Sequence, residues 1–316
     1  MHPAYSVILF TTASGAGYGL LALLGLVGFN HGPASSLWFG LAALVIALCL
    51  ISLGLLSSTF HLGRPERAWR AFSQWRSSWL SREGIASVIT FAPALLFGAL
   101  WLGFIDGPQW IGLAGLVTAA MCAVTVFCTA KIYSTLTTIR QWHQKLTVPV
   151  YLAFALSTGA VLLMAIASVF GRYQTFQAGL AMVTLLLTLV LKYLYWRQID
   201  AEPRDRTIEA ATGLARTGEK VRQWEVPHTA ENFIMKEMGY VVARKHAEKL
   251  RRIVMILLLA AALATVLTVL VSALVVPLSL VAFLLAAAAA AVERWLFLPK
   301  PSMSSRSTTA PNGLNS

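Results

Sequence analysis

Apart from a short polar break at 31–36 (HGPASS), the first sixty residues are almost uninterrupted apolar sequence, with no Asp, Glu, Lys or Arg before Arg64. Neither the two-residue alternation of a half-buried strand nor the narrow stripe of an amphipathic helix organises this stretch. Its signal is length. A bilayer core about 30 Å thick is crossed by roughly 20 apolar residues in a helix. Measured that way, the chain predicts spans over 6–29, 37–60, 84–104, 109–130, 147–170 and 176–198. The apolar stretch 253–298 is too long for one crossing and is expected to break near Pro277, into 253–275 and 278–298. The fold class is therefore all-α: a polytopic integral membrane protein of eight transmembrane helices. The first run lacks a basic leader segment and suits a retained span better than a cleaved signal.

Composition agrees. Of 316 residues, 57% are hydrophobic and only 12% charged, where a soluble domain carries about 25%. Mean hydropathy is +0.69. The formal charge of +12 does not indicate nucleic acid, because the bases sit in connections between apolar runs. There they set orientation and meet lipid headgroups or a partner. The three cysteines, Cys49, Cys122 and Cys128, all fall inside apolar runs. They offer no disulfide framework and no spacing for an iron–sulfur cluster.

The bases also give a topology. Loop 61–83 holds five, loop 131–146 three, segment 197–252 twelve and the tail from Arg294 three, whereas the opposite connections hold only Arg172. Lys192 is the remaining base and lies inside the sixth span, close enough to its end to snorkel. The positive-inside rule then predicts both termini and every large loop in the cytoplasm. Segment 200–250 mixes nine acids with its bases, with helix-like stretches at 205–224 and 233–250. It reads equally well as a solvated loop or a docking platform. The whole is expected to form a single anchor domain over 1–300, with a disordered tail at 301–316.

Candidate chemistry clusters where the second apolar run stops. Residues 61–70 bring His61, Arg64, Glu66, Arg67 and Arg70 together, interleaved with Trp69 and followed by Trp75 and Trp79. Arg and Trp at a membrane boundary are ordinary anchors. The sharper reading is a quinone site, since a headgroup gaining two electrons and two protons needs donors to its carbonyls and a group able to exchange protons. His61 suits the exchange, Arg67 supplies permanent donors, and Glu83, beside Ser81 and Arg82, is the nearest carboxylate. A second basic–aromatic boundary at 128–143 (Lys131, Tyr133, Arg140, Trp142, His143) reads mainly as an anchor or partner contact. Gly15 and Gly19 form a small-residue pair for helix packing. Haem is disfavoured because none of the six histidines lies well inside a predicted span. A transporter is disfavoured because formal charge is nearly absent from the spans.

The segments MHPAYSVILFTTASGAGYGLL, HLGRPERAW, SWLSREG and IYSTLTTIRQWH resemble the membrane-anchor subunits of the dimethyl sulfoxide reductase family, over essentially the whole sequence. That resemblance implies an anchor without haem, metal or iron–sulfur cluster of its own, binding quinone or quinol. It also implies two partners: a four-cluster iron–sulfur subunit and a molybdopterin catalytic subunit. The family's quinone-site positions fall here on His61, Gly63, Arg67 and Glu83, and Arg70, Arg140 and His143 are expected to contribute to docking. The segment KEMGYVVARKHAEKLRR resembles the branch of the family that anchors a cytoplasmic sulfite-oxidising enzyme. A docking face in the cytoplasm, on the cell inner membrane, fits that branch.

Overall fold

A computed structural model describes residues 3–32, 34–59, 64–137, 139, 141–201 and 246–297. The helix-like stretch expected at 205–224, most of that at 233–250 and the tail at 301–316 lie outside the described residues. Eight helices long and apolar enough to cross a membrane are present among the described residues, in keeping with the predicted count. They are α1 Pro3–His31, α2 Leu37–Thr59, α3 Trp79–Trp101, α4 Pro108–Ser134, α5 Thr147–Val169, α6 Thr175–Ala201, α7 Ala247–Leu270 and α8 Val275–Phe297. No strand occurs among the described residues.

Several boundaries differ from expectation by a few residues, and two of the differences have clear physical reasons. The last hairpin turns at residues 271–274, ahead of Pro277, through the short 3₁₀ turn Ser272–Leu274. Pro277 then sits in the first turn of α8, where its missing N–H has no intrahelical partner to lose. At the other discrepancy, α3 begins at Trp79 rather than at 84. Hydropathy places the polar residues Ser81, Arg82 and Glu83 outside the span, yet Ser81 and Glu83 are buried. They face the bundle, so polarity there marks an interior contact and not the end of the helix.

The bundle is organised around α1 and α5. α1 packs on α2, α4 and α5, while α5 also packs on α6 and α8; α3 leans on α4, and α7 joins α6 to α8. Some 83% of the apolar window of α5 is buried, against 28–61% in the other seven spans, which makes α5 the central rod. Close approach in a lipid environment relies on small residues, since burying apolar surface against another helix gains little over burying it in lipid. Gly19 provides one such contact: a Cβ there would collide with the Ala155 carbonyl. Gly25 and Gly115 make another between α1 and α4, where a Cβ on either would run into the other's carbonyl. Of the predicted small-residue pair, Gly19 is the close contact; Gly15 meets the Ala155 Cβ at an ordinary 4.0 Å. Outward-facing Leu53, Leu95, Leu263 and Leu284 stay exposed and form the lipid-facing surface.

The helices alternate in direction, so the start of α1, the end of α2, the start of α3, the end of α4 and their continuations share one face. Among the described residues, the buried charged side chains, Glu83, Lys192, Glu293 and Arg294, all belong to that end. Towards the opposite end the core is aromatic, with Phe97 stacked on Trp101 at 5.4 Å and Phe39 edge-on to Trp101.

Candidate functional site

At the polar end, the sequence Ser81-Arg82-Glu83-Gly84 opens α3 and points in several directions within one helical turn. Ser81 donates its hydroxyl to the Ala71 carbonyl. Arg82 donates Nε to Trp75 O at 2.9 Å and Nη2 to Arg76 O at 2.7 Å, and its guanidinium covers the Trp79 ring at 4.3 Å. Gly84 leaves room for Phe72, whose ring would lie 2.8 Å from a Cβ at that position. These contacts tie down the 3₁₀ segment Pro65–Gln74, which carries Glu66, Arg67, Trp69 and Arg70 on the outer surface.

Glu83 turns the other way. It is buried, and its Oε1 accepts the Thr129 hydroxyl from α4, a hydroxyl shared with the Thr125 carbonyl at 3.1 Å. Ser87 donates to the Glu83 carbonyl at 2.7 Å, and the Thr90 and Thr125 hydroxyls meet at 3.1 Å. Thr129 also lines a cavity of about 20 Å³ between α1, α4, α5 and α8, with Thr11, Ser14, Tyr18, Tyr151 and Arg294 among its walls.

On the far side of that cavity lies a second charged group. Lys192 Nζ donates to Glu293 Oε1 at 2.5 Å, and Arg294 Nη1 lies 3.2 Å from Glu293 Oε2. All three side chains are buried, so two cations share one carboxylate. Aromatic faces cover the surplus charge: Arg294 sits 3.5 Å from the Tyr151 ring centre and Lys192 3.9 Å from that of Tyr195. Such contacts are worth about 2 kcal/mol or more when desolvated. The connection after α4 closes this end. Trp142 Nε1 donates to the Phe297 carbonyl at 2.6 Å, Tyr195 donates its hydroxyl to Gln141 O at 2.5 Å, and the Trp142 ring stacks on Phe297.

Of the expected site residues, the structure describes Arg67, Arg70, Glu83 and His143. His61 and Gly63 lie outside the described residues, as does Arg140. Arg67 is half exposed and has only a long 4.0 Å contact with its neighbour Glu66; no hydrogen bond or ion pair among the described residues joins it to buried Glu83. Arg70 is exposed and lies over the Trp69 ring, and His143 is exposed with Nδ1 2.8 Å from Ser134 O. Both are on the surface.

Trp142 is not the boundary anchor its position suggests, because it is buried in the α8 contact. Lys192 does not snorkel but pairs inward. The ion cluster carries no motif in the sequence, although a lone base within the sixth span and an acid at the end of the eighth are opposite charges at matching depth. No group of three or more potential metal ligands occurs among the described residues.

Comparison with known proteins agrees with this architecture. The family described as "DMSO reductase anchor subunit (DmsC)" matches residues 1–299. The C subunit of the sulfite dehydrogenase from Allochromatium vinosum is 33% identical over 274 residues, covering 81% of this chain and 83% of that protein. The C component of the anaerobic dimethyl sulfoxide reductase from Haemophilus influenzae is 27% identical over 144 residues, 45% of this chain and 50% of its own. The YnfH component of the Escherichia coli anaerobic dimethyl sulfoxide reductase is 31% identical over 120 residues, 37% and 41% respectively. No solved structure matches the sequence with significance.

Proposed function

The chain belongs to the family of dimethyl sulfoxide reductase anchor subunits, and from that premise we propose that it is the quinone-reactive anchor of a sulfite-oxidising complex. Its partners are an iron–sulfur subunit and a molybdopterin subunit that oxidises sulfite to sulfate. Electrons leave the iron–sulfur subunit at the polar end of the bundle and reduce a quinone there. The reduction takes two electrons and two protons, converting each C=O of the headgroup to C–OH.

The observation that carries this reading is Glu83: a carboxylate buried inside a membrane-spanning helix, bonded to a threonine hydroxyl and to no cation among the described residues. An ionisable group at such a depth is costly and marks a functional position. It falls on the family's quinone-site pattern together with His61, Gly63 and Arg67. In this mechanism Glu83 and His61 exchange protons with the headgroup. Arg67, on the surface segment tied to α3, polarises a carbonyl. Arg70, Arg140 and His143 belong to the partner-docking surface. The distribution of bases supports a cytoplasmic docking face on the inner membrane, which suits sulfite oxidation inside the cell.

The test uses the purified complex with its partner subunits. His61→Ala and Glu83→Gln abolish sulfite-dependent quinone reduction while sulfite oxidation with a soluble artificial acceptor continues. Retention of quinone reduction in both variants sinks the site assignment. The shorter matches to dimethyl sulfoxide reductase components favour a second reading, quinol oxidation feeding a reductase. A reporter fused to the C-terminus separates the two, because a periplasmic signal contradicts the cytoplasmic arrangement.

A further inference from the structure

Where α3 and α4 reach the polar end of the bundle, two cations share one aromatic ring on the outer surface. The Arg82 guanidinium lies 4.3 Å from the centre of the Trp79 ring, and Lys131 Nζ lies 5.9 Å from it. Phe127 meets the same ring edge-on at 5.9 Å, and Lys131 Nζ is also 5.6 Å from the Phe127 ring centre. Both cations are half-buried. Neither is ion-paired among the described residues, where carboxylates pair with Arg67, Lys192, Arg251 and Arg294 instead. Glu83, the acid next to Arg82 in the sequence, is turned inward to Thr129. Two like charges gathered without a carboxylate repel each other, and aromatic faces offset only part of that at a partly exposed position.

The donors suit an anion. Arg82 gives Nε to Trp75 O and Nη2 to Arg76 O; these bonds fix the guanidinium plane and leave Nη1 unused among the described residues. The Lys131 ammonium carries three donors and no acceptor. An anion bridging the two takes charge-assisted hydrogen bonds from both. What lies below the cations identifies the rest of the ligand. On α4, Val117, Val124, Phe127 and Lys131 follow one another at intervals of seven, three and four residues, so they share one face of the helix. Val117, Val124 and Phe127 are exposed, which makes an outward apolar stripe running from the ammonium along the span. A ligand seated here has negative charge at the rim of the bilayer and hydrocarbon beneath it. A soluble partner has nothing to lay along that stripe.

We propose that Arg82 and Lys131 form a binding site for the phosphate of an anionic phospholipid, whose acyl chains lie along the α4 stripe. Basic pockets between transmembrane helices recognise such headgroups by the same chemistry. The site is separate from the quinone reaction and stands whether or not the chain reacts with quinone. It also gives Arg82 a second task. The guanidinium that holds the surface segment at Trp75 and Arg76 is the one that the lipid neutralises, so the bound lipid fastens that segment to the bilayer.

The experiment titrates the full-length protein, purified in mild detergent and stripped of lipid, with phosphatidylglycerol or phosphatidylcholine, and counts bound lipid by native mass spectrometry. The parent takes up phosphatidylglycerol in preference to phosphatidylcholine. Lys131→Gln weakens phosphatidylglycerol binding about 3–10-fold, the worth of one cation near the membrane surface, and Lys131→Arg restores it. Lys145→Gln removes an exposed cation elsewhere at the same end and leaves binding at the parent's value. Arg82→Gln lowers binding by a similar factor; should it fail to fold, Lys131→Gln decides the matter, because no hydrogen bond or ion pair of that ammonium holds the described fold together. Equal losses in Lys131→Gln and Lys145→Gln overturn the site in favour of diffuse attraction to a basic face. Equal uptake of the two lipids by the parent, or uptake of neither, overturns it as well. Displacement of bound phosphatidylglycerol by an equal concentration of inorganic phosphate overturns the lipid assignment, since the apolar stripe then contributes nothing.

Discussion

Replacing Glu293 with Gln tests how the polar end of the bundle is held together. The side chain keeps its shape but loses the negative charge between Lys192 at 2.5 Å and Arg294 at 3.2 Å. At an effective dielectric constant of about 20, each contact is a Coulomb attraction of about 5–7 kcal/mol before desolvation is subtracted. The net cost of removing one partner from a buried pair is about 3–5 kcal/mol, because the remaining charge stays buried. Here two cations are left facing each other, so Glu293→Gln lies at the upper end of that range. Lys192→Met leaves Glu293 paired with Arg294 and costs less, about 1–3 kcal/mol. The double variant then has one unpaired cation instead of two, and is expected to be more stable than Glu293→Gln alone. Thermal unfolding in detergent, followed by fluorescence of the ten tryptophans, reads all three. At about 2–4 °C per kcal/mol, Glu293→Gln lowers the midpoint by about 6–20 °C, and adding Lys192→Met recovers part of that. The reasoning is falsified if Glu293→Gln melts within about a degree of the parent, or if the two losses simply add.

Three further outcomes follow from contacts elsewhere. Gly19→Ala drives a methyl into the Ala155 carbonyl, which forces α1 off α5; overpacking of this kind costs about 1–3 kcal/mol or more, and detergent gel filtration shows loss of the monodisperse species. Trp142→Phe keeps the ring against Phe297 but removes the 2.6 Å bond to its carbonyl, lowering stability by about 1–3 kcal/mol in the same fluorescence melt. Arg82→Ala frees the carbonyls of Trp75 and Arg76, so chymotrypsin cleaves at Phe72 and Trp75 markedly faster while the melting midpoint moves little.

The number of spans is legible in the sequence because hydrocarbon thickness imposes a length that apolar runs reveal directly. Boundaries are less legible wherever polar residues serve the interior. Hydropathy cannot tell Glu83, buried against Thr129, from a carboxylate at a helix start in water, so it begins α3 five residues late. Aromatic residues raise the same ambiguity: Trp75 is exposed and Trp142 buried, yet both flank a run of basic residues. The charged cluster is hidden for another reason. Lys192 and Glu293 stand 101 positions apart, and their meeting depends on α5, α6 and α8 sharing one end of the bundle.

The arrangement also explains why residues of one motif can lie partly on the surface and partly in the core. Four consecutive residues on a helix sweep through most of a full turn. At the start of α3, Ser81 and Arg82 grip the segment that carries Arg67, while Glu83 reaches inward to Thr129 and the cavity wall. Gly84 lets Phe72 lie flat on the same turn. The surface segment and the buried carboxylate therefore share one helical turn, without any direct bond between Arg67 and Glu83 among the described residues. If a partner docks on this segment as proposed, it bears first on the Ser81 and Arg82 contacts to residues 71, 75 and 76. The proposed docking surface and the buried carboxylate thus meet at a single turn of α3.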